Sequence, residues 1–176
     1  MEIGATKAVQ DRLKTTKIEE SKGASLVFCW DTHLTKIKGR NVLFIVNASN
    51  RYTIAMTDIE PRNWNYYTMY IRSVIHGVMQ EMGYSEDQIG QYFKMSGDTT
   101  VTKTHGRKSV GGINRMVMDA QYFGKKLEKE AKYQWELSEY LNRDICQPEG
   151  FDAYGYPSEL FKLDMERLGI AAKRKP

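Results

Sequence analysis

Asn41-Val42-Leu43-Phe44-Ile45-Val46, the short link Ala48-Ser49-Asn50, then Arg51-Tyr52-Thr53-Ile54-Ala55-Met56 is the stretch that decides the fold. The first run is apolar without interruption, which suits a central strand covered on both faces. The link is too short for anything but a tight connection, so the second run returns as the antiparallel partner of the first. Upstream, Ser25-Leu26-Val27-Phe28-Cys29-Trp30 is rich in β formers and reads as another strand. Lys38-Gly39-Arg40 is turn-like, so the three runs form a meander.

Helical periodicity surrounds this meander. Ala5 to Lys14 reads as a short amphipathic helix. Pro61 suits a first helical turn, and Trp64, Tyr67, Ile71, Val74, Ile75, Val78 and Met82 follow at helical spacing up to Gly83. Ser85-Glu86-Asp87-Gln88 has the form of a capping box for a helix to about Met95. Thr99 to Thr104 is a polar, threonine-rich strand of the kind found at a sheet edge. Ile113, Met116, Val117, Ala120, Phe123 and Leu127 mark one helical face, and the charged run Lys125 to Arg143 extends the periodicity through Ala131 and Trp135. Pro148-Glu149-Gly150 stops it, and Ser158 to Leu168 forms a last helix. The polar segment Lys14 to Gly23 reads as a loop, and Ala171 to Pro176 as a frayed end. The expected fold is therefore α+β: a mostly antiparallel sheet of about four strands packed against helices. Residues 1–124 form the core domain and residues 125–176 a helical C-terminal extension.

Chemistry concentrates where the threonine-rich strand meets the following helix, Thr102-Lys103-Thr104-His105-Gly106-Arg107-Lys108-Ser109-Val110-Gly111-Gly112-Ile113-Asn114-Arg115. Amides left free at a helix start attract anions, and Gly111 and Gly112 allow a ligand to approach the backbone. Lys103, His105, Arg107, Lys108 and Arg115 are the expected anion ligands, and Ser109 is expected to cap the helix. The 176 residues carry a net charge of +4, and all of it lies before residue 125. One window without acidic residues, between Asp98 and Asp119, holds Lys103, Arg107, Lys108 and Arg115. A second, between Asp31 and Asp58, holds Lys36, Lys38, Arg40 and Arg51. Sharing one side, they would make a surface suited to phosphate backbones or acidic proteins.

Several chemistries lack their signatures. There is no Walker loop, no Gly-x-Gly-x-x-Gly after a strand and no Gly-x-Ser-x-Gly elbow. The two cysteines, Cys29 and Cys146, form no paired motif, so neither a zinc site nor a redox site is signalled. Cys29, inside an apolar run, reads as a buried free thiol. No cofactor is expected. Met1 to Leu13 is too charged for a signal peptide, and no stretch is apolar enough to span a membrane, so the cytoplasm is the expected compartment. Asp31 and His33 are two apart after a strand and would point the same way. With His105 nearby, they could hold a metal or run a hydrolytic step. Asn47 is expected to make turn hydrogen bonds, and His76 to face solvent.

The Lys103–Asn114 stretch resembles one in a family of small bacterial and mobile-element proteins whose domain has no assigned function. That family has a threonine- and lysine-rich strand, then Arg-Ser-Val-Leu-Gly-Ser-Met-Asn opening a helix. Here Lys108 stands between Arg107 and Ser109, and Gly111-Gly112-Ile113 replaces the Leu-Gly-Ser-Met run. Ala5-Thr6-Lys7 with Arg12-Leu13-Lys14, and Trp30 to Leu34 with Arg40 to Asn47, are also similar. The patches keep their order over about residues 1–124. The resemblance implies a compact α+β fold and carries no activity with it.

The leading expectation is a non-enzymatic protein binding an anionic partner, nucleic acid or a nucleoprotein complex, as a phage or plasmid accessory or an inhibitor of a host defence nuclease. One alternative is a small nuclease or other phosphoester hydrolase using His105 with Asp31 or His33. Another is a protein-binding module that docks on a partner, or on a second copy, through Lys125–Arg143.

Overall fold

The computed structural model describes residues 1–15 and 18–171. Among these residues, five strands form one mixed sheet in the order β4-β3-β2-β1-β5. They are β1 (Glu2–Ala5), β2 (Cys29–Ile37), β3 (Arg40–Asn47), β4 (Thr53–Thr57) and β5 (Thr100–Thr102). The helices are α1 (Lys7–Leu13), α2 (Pro61–Asn65), α3 (Tyr67–Glu81), α4 (Glu86–Ser96), α5 (Gly106–Gln121), α6 (Trp135–Asn142) and α7 (Pro157–Arg167).

The expected meander is present: β2, β3 and β4 pair antiparallel, with Phe44 between His33 and Ala55. The four-strand, mostly antiparallel sheet is corrected to five strands. Glu2–Ala5 is itself a strand, wedged between β2 and β5 and parallel to both. The expected first strand, Ser25 to Trp30, is also revised. Leu26–Phe28 is a turn of 3-10 helix, and the strand begins at Cys29 and runs on through the polar residues to Ile37.

The sheet is covered on both sides. Trp30, Leu43, Ile45 and Ile54 face one core, completed by α3, α4 and α7 through Ile71, Ile75, Tyr92 and Phe161. Ile37, Val42, Phe44, Val46 and Ala55 face the other, completed by α5 and α6 through Ile113, Met116, Ala120, Leu137 and Leu141. β3 thus buries apolar side chains on both faces, as its unbroken apolar run implies.

Two helices are shorter than periodicity suggests. The helix begun at Pro61 breaks at Tyr66 into α2 and α3. The run Lys125 to Arg143 is not one helix: α5 stops at Gln121, and helix resumes only at Trp135. The intervening chain lies along the outer edge of β4. Thr57 N–H donates to Lys132 O (2.7 Å), and Gln134 N–H donates to Ala55 O (2.9 Å). Side chains complete this edge. Ser138 Oγ accepts from Ala55 N–H (3.0 Å), and Asn142 forms a two-way pair with Thr53, both bonds 2.8 Å. The capping box of α4 forms as expected between Ser85 and Gln88. Of the loop Lys14–Gly23, Thr16 and Lys17 lie outside the described residues, as do 172–176 of the tail. Glu19 bridges to Thr102 on the free side of β5.

Candidate functional site

The register of β1 and β2 places Glu2 beside Cys29 and Gly4 beside Asp31, so all four occupy the sheet face on which α5 lies. His105, at the N-cap position of α5, lies over them. Its ring bridges two carboxylates: Nδ1–H donates to Asp31 Oδ1 (2.7 Å), and Nε2–H donates to Glu2 Oε2 (3.0 Å). The side chains of His105, Asp31 and Glu2 are 2%, 0% and 5% exposed. Buried charges persist only when paired and hydrogen-bonded, and each of these is. Asp31 also accepts from the His105 backbone N–H (3.2 Å) and from the Ser109 hydroxyl. Glu2 also accepts from Ser21 Oγ (2.6 Å) and Lys22 N–H (2.8 Å).

The environment fixes the charge states. Burial works against a charged His105, but the bonds to Asp31 and Cys29 outweigh it and push its pKa up to about 10. The ring is therefore an imidazolium at neutral pH. Burial likewise opposes ionisation of Glu2, yet the bonds from Ser21, Lys22 and His105 win and hold its carboxyl below the ordinary value. Cys29 completes the group. Its thiol is fully buried, and its Sγ, a Glu2 oxygen and a His105 nitrogen lie within 4.8 Å of one another.

The sequence-derived site separates into parts. Asp31 and His105 converge; His33 faces the same way as Asp31 but bonds Thr6 Oγ1 (3.2 Å) instead. The anion drawn to the start of α5 is internal, the Asp31 carboxylate. Ser109 is not the cap it was expected to be. The helix starts at Gly106, so Ser109 stands about one turn inside it, and its hydroxyl reaches down to Asp31.

The basic residues divide in the same way. Arg107, Lys108 and Arg115 are on the exposed side of α5. Lys108 donates to Pro148 O (3.3 Å), and Arg115 stands 4.0 Å from Asp119. Lys103 pairs with Glu20 at the edge of β5. Lys36 is exposed, and its carbonyl accepts from Gln121 at the far end of α5. Lys38 and Arg40 tie down the chain after α5: Lys38 donates to Lys125 O (2.9 Å), and Arg40 to Glu128 O (2.7 Å) and Asp58. They sit about 20 Å along the sheet from Asp31, at the far end of α5, whereas Arg51 of the same window joins the first end and donates to Gly112 O (2.8 Å). A cleft of about 340 Å³ beside the first end is lined by Arg51, Lys108, Gly111, Gly112, Arg115 and Glu149. Asn47 makes its expected turn, its Oδ1 accepting from Ser49 and Asn50 N–H. His76 is partly exposed and pairs with Glu86.

Sequence reading missed Glu2 altogether; Cys29 is the buried free thiol it expected, but its place beside Glu2 and His105 was not foreseen. The available signal was alternation: a lone acid between Met1 and Ile3, and Asp31 two residues after Cys29, each matching a strand with one polar face.

No helix among the described residues is long and apolar enough to cross a membrane. Neither a curated protein nor a solved structure matches the chain. Residues 2–160, which span the whole sheet, the His105 cluster and α6, match the family model described as Domain of unknown function (DUF6933), and the chain belongs to that family.

Proposed function

We propose that this is a non-enzymatic binding protein that engages nucleic acid, alone or within a nucleoprotein complex, through the solvent face of α5. One observation carries the reading. Arg107, Gly111, Asn114, Arg115, Met118 and Tyr122 are all exposed and recur at helical spacing, with Lys108 alongside. The sequence of α5 contains a single carboxylate, Asp119, so the stripe is positive at one end and ends in an aromatic ring that is 79% exposed. Cations that track a phosphate backbone, together with a ring on which a base stacks, are the two elements of sequence-tolerant single-strand binding. The adjacent cleft adds Arg51 and the open backbone at Gly111, where a phosphate can come close.

The hydrolytic alternative gains nothing from the geometry. Both ring nitrogens of His105 are engaged by carboxylates and the side chain is 2% exposed, so it has no contact with a surface substrate.

A salt titration of binding to single-stranded DNA and RNA oligonucleotides tests the proposal. Affinity should fall linearly with the logarithm of salt concentration, with a slope of about −0.7 for each phosphate neutralised. No binding at low salt, or a slope of zero, overturns it.

A further inference from the structure

We propose that Glu2, Cys29 and His105 form a binding site for a thiophilic divalent transition-metal ion, zinc being the best fit. The inference is independent of the α5 surface, which lies on the other side of the helix start.

The donor set is the first argument. A carboxylate oxygen, a sulfur and an imidazole nitrogen converge from β1, β2 and the start of α5, mutually within 4.8 Å. A tetrahedral zinc ion, with bonds of about 2.0–2.3 Å, holds its donors roughly 3.5 Å apart. The three atoms therefore need to close by little more than about an ångström, with no exchange of partners between elements. Three protein donors leave a fourth position for water.

Orientation is the second. A metal-bound histidine commonly donates its other ring N–H to a carboxylate, which fixes the ring and raises its basicity. Asp31 does this to Nδ1 at 2.7 Å, leaving Nε2, which faces Glu2 Oε2 at 3.0 Å, as the nitrogen for the ion. Asp31 is itself held by the His105 backbone N–H and Ser109 Oγ, so the relay is rigid two steps out.

Ligand chemistry is the third. A bound ion takes its thiol and imidazole donors deprotonated, and the displaced protons leave to solvent. Thiolate together with imidazole favours zinc over calcium or magnesium, which require oxygen ligands. The fully buried thiol suits a metal ligand better than a nucleophile, which must reach substrate. Exposed Ser21 and Lys22, bonded to Glu2, are the outermost contacts of the cluster.

The experiment uses the full chain, stripped with chelator and titrated with Co²⁺ as a spectroscopic probe, then with Zn²⁺. Expected is one equivalent of Co²⁺ with a thiolate-to-cobalt charge-transfer band that Zn²⁺ abolishes by displacement. The chain has two cysteines, so Cys146→Ser leaves Cys29 as the single thiol, and the band should persist. This assigns the ligand even where Cys29→Ser fails to fold. Asp31→Asn should keep the band and weaken affinity by about 10- to 100-fold. Absence of a thiolate band in the wild type, or its loss in Cys146→Ser, overturns the proposal. Neither readout involves nucleic acid, so the fate of the α5 surface is decided separately.

Discussion

The Asp31 carboxylate occupies the space a side chain at Gly4 would need: a Cβ at position 4 would stand 1.8 Å from Asp31 Oδ1 and 3.0 Å from the Thr104 Cα. The bare backbone of β1 is what lets a buried acid and the turn into α5 share one layer. Gly4→Ala must push out Asp31, the hub of the cluster, or lift the Thr104–His105 backbone from the sheet. Overpacking of this kind costs about 3 kcal/mol, measured as a lower urea midpoint at unchanged m. Gly111, in open space on α5, is the contrast: Gly111→Ala should stabilise by up to about 1 kcal/mol, since Ala is the better helix former. Equal effects of the two substitutions would refute the packing argument.

Stability of the metal-free protein should fall from neutral to alkaline pH. His105 has its pKa raised from 6.5 to about 10 in the fold. Below 6.5 both folded and unfolded chains hold the proton, and the ion pairs contribute fully. Between the two values only the folded chain retains it, so the contribution shrinks with rising pH and is gone above about 10. Glu2 works in the opposite sense. Its lowered pKa gives support above the ordinary 4.5 that is lost as pH falls through its folded value. Urea midpoints at about pH 6 and about pH 9, with chelator present, should drop more steeply in the wild type than in His105→Gln. Parallel slopes would count against the bridging imidazolium.

Arg107→Ala and Arg115→Ala should each weaken binding to every oligonucleotide alike and reduce the salt slope by about one phosphate's worth, leaving thermal unfolding nearly unchanged. Lys38→Ala should behave differently. Its ammonium holds the carbonyl of Lys125 and lies over the Phe123 ring, so it should affect stability more than binding. A larger loss of affinity for Lys38→Ala than for Arg107→Ala would move the interface to the other end of α5.

Asn142→Leu should cost about 2–3 kcal/mol, because it strands both the N–H and the carbonyl of Thr53 in a buried setting. The loss should appear as a lower unfolding midpoint, and as faster amide exchange at Thr53. An unchanged midpoint would show that water reaches this edge.

What the chain discloses on its own is the locally encoded part. The β3–β4 hairpin follows from one apolar run and a short polar link, and the α4 cap from Ser85 and Gln88. β1 is invisible because its partners are far away: Glu2 pairs with Cys29 and Thr100, and its charge is met by a residue 103 positions on. β2 hides its true length for the same reason, since Asp31 and Thr32 are polar residues buried by distant partners, His105 and Tyr67. The run Lys125 to Arg143 misleads in the other direction. Its spacing permits a helix, but the edge of β4 takes the backbone of Lys132 and Gln134 as partners, and that pairing overrides local preference. Within the candidate site, His105, Asp31 and Ser109 were legible as residues; their roles were not, because burial and the presence of Glu2 decide them.

The dressing of the sheet's two margins limits how this protein can be recognised. On one side Lys132, Gln134, Ser138 and Asn142 consume the outward hydrogen-bonding groups of β4. On the other, β5 is three residues long, and Lys103 N–H already donates to Glu19 O. Among the described residues, an incoming peptide therefore finds no ribbon of free amides to extend. A peptide that docks on this sheet is met by side chains and loops rather than by strand addition.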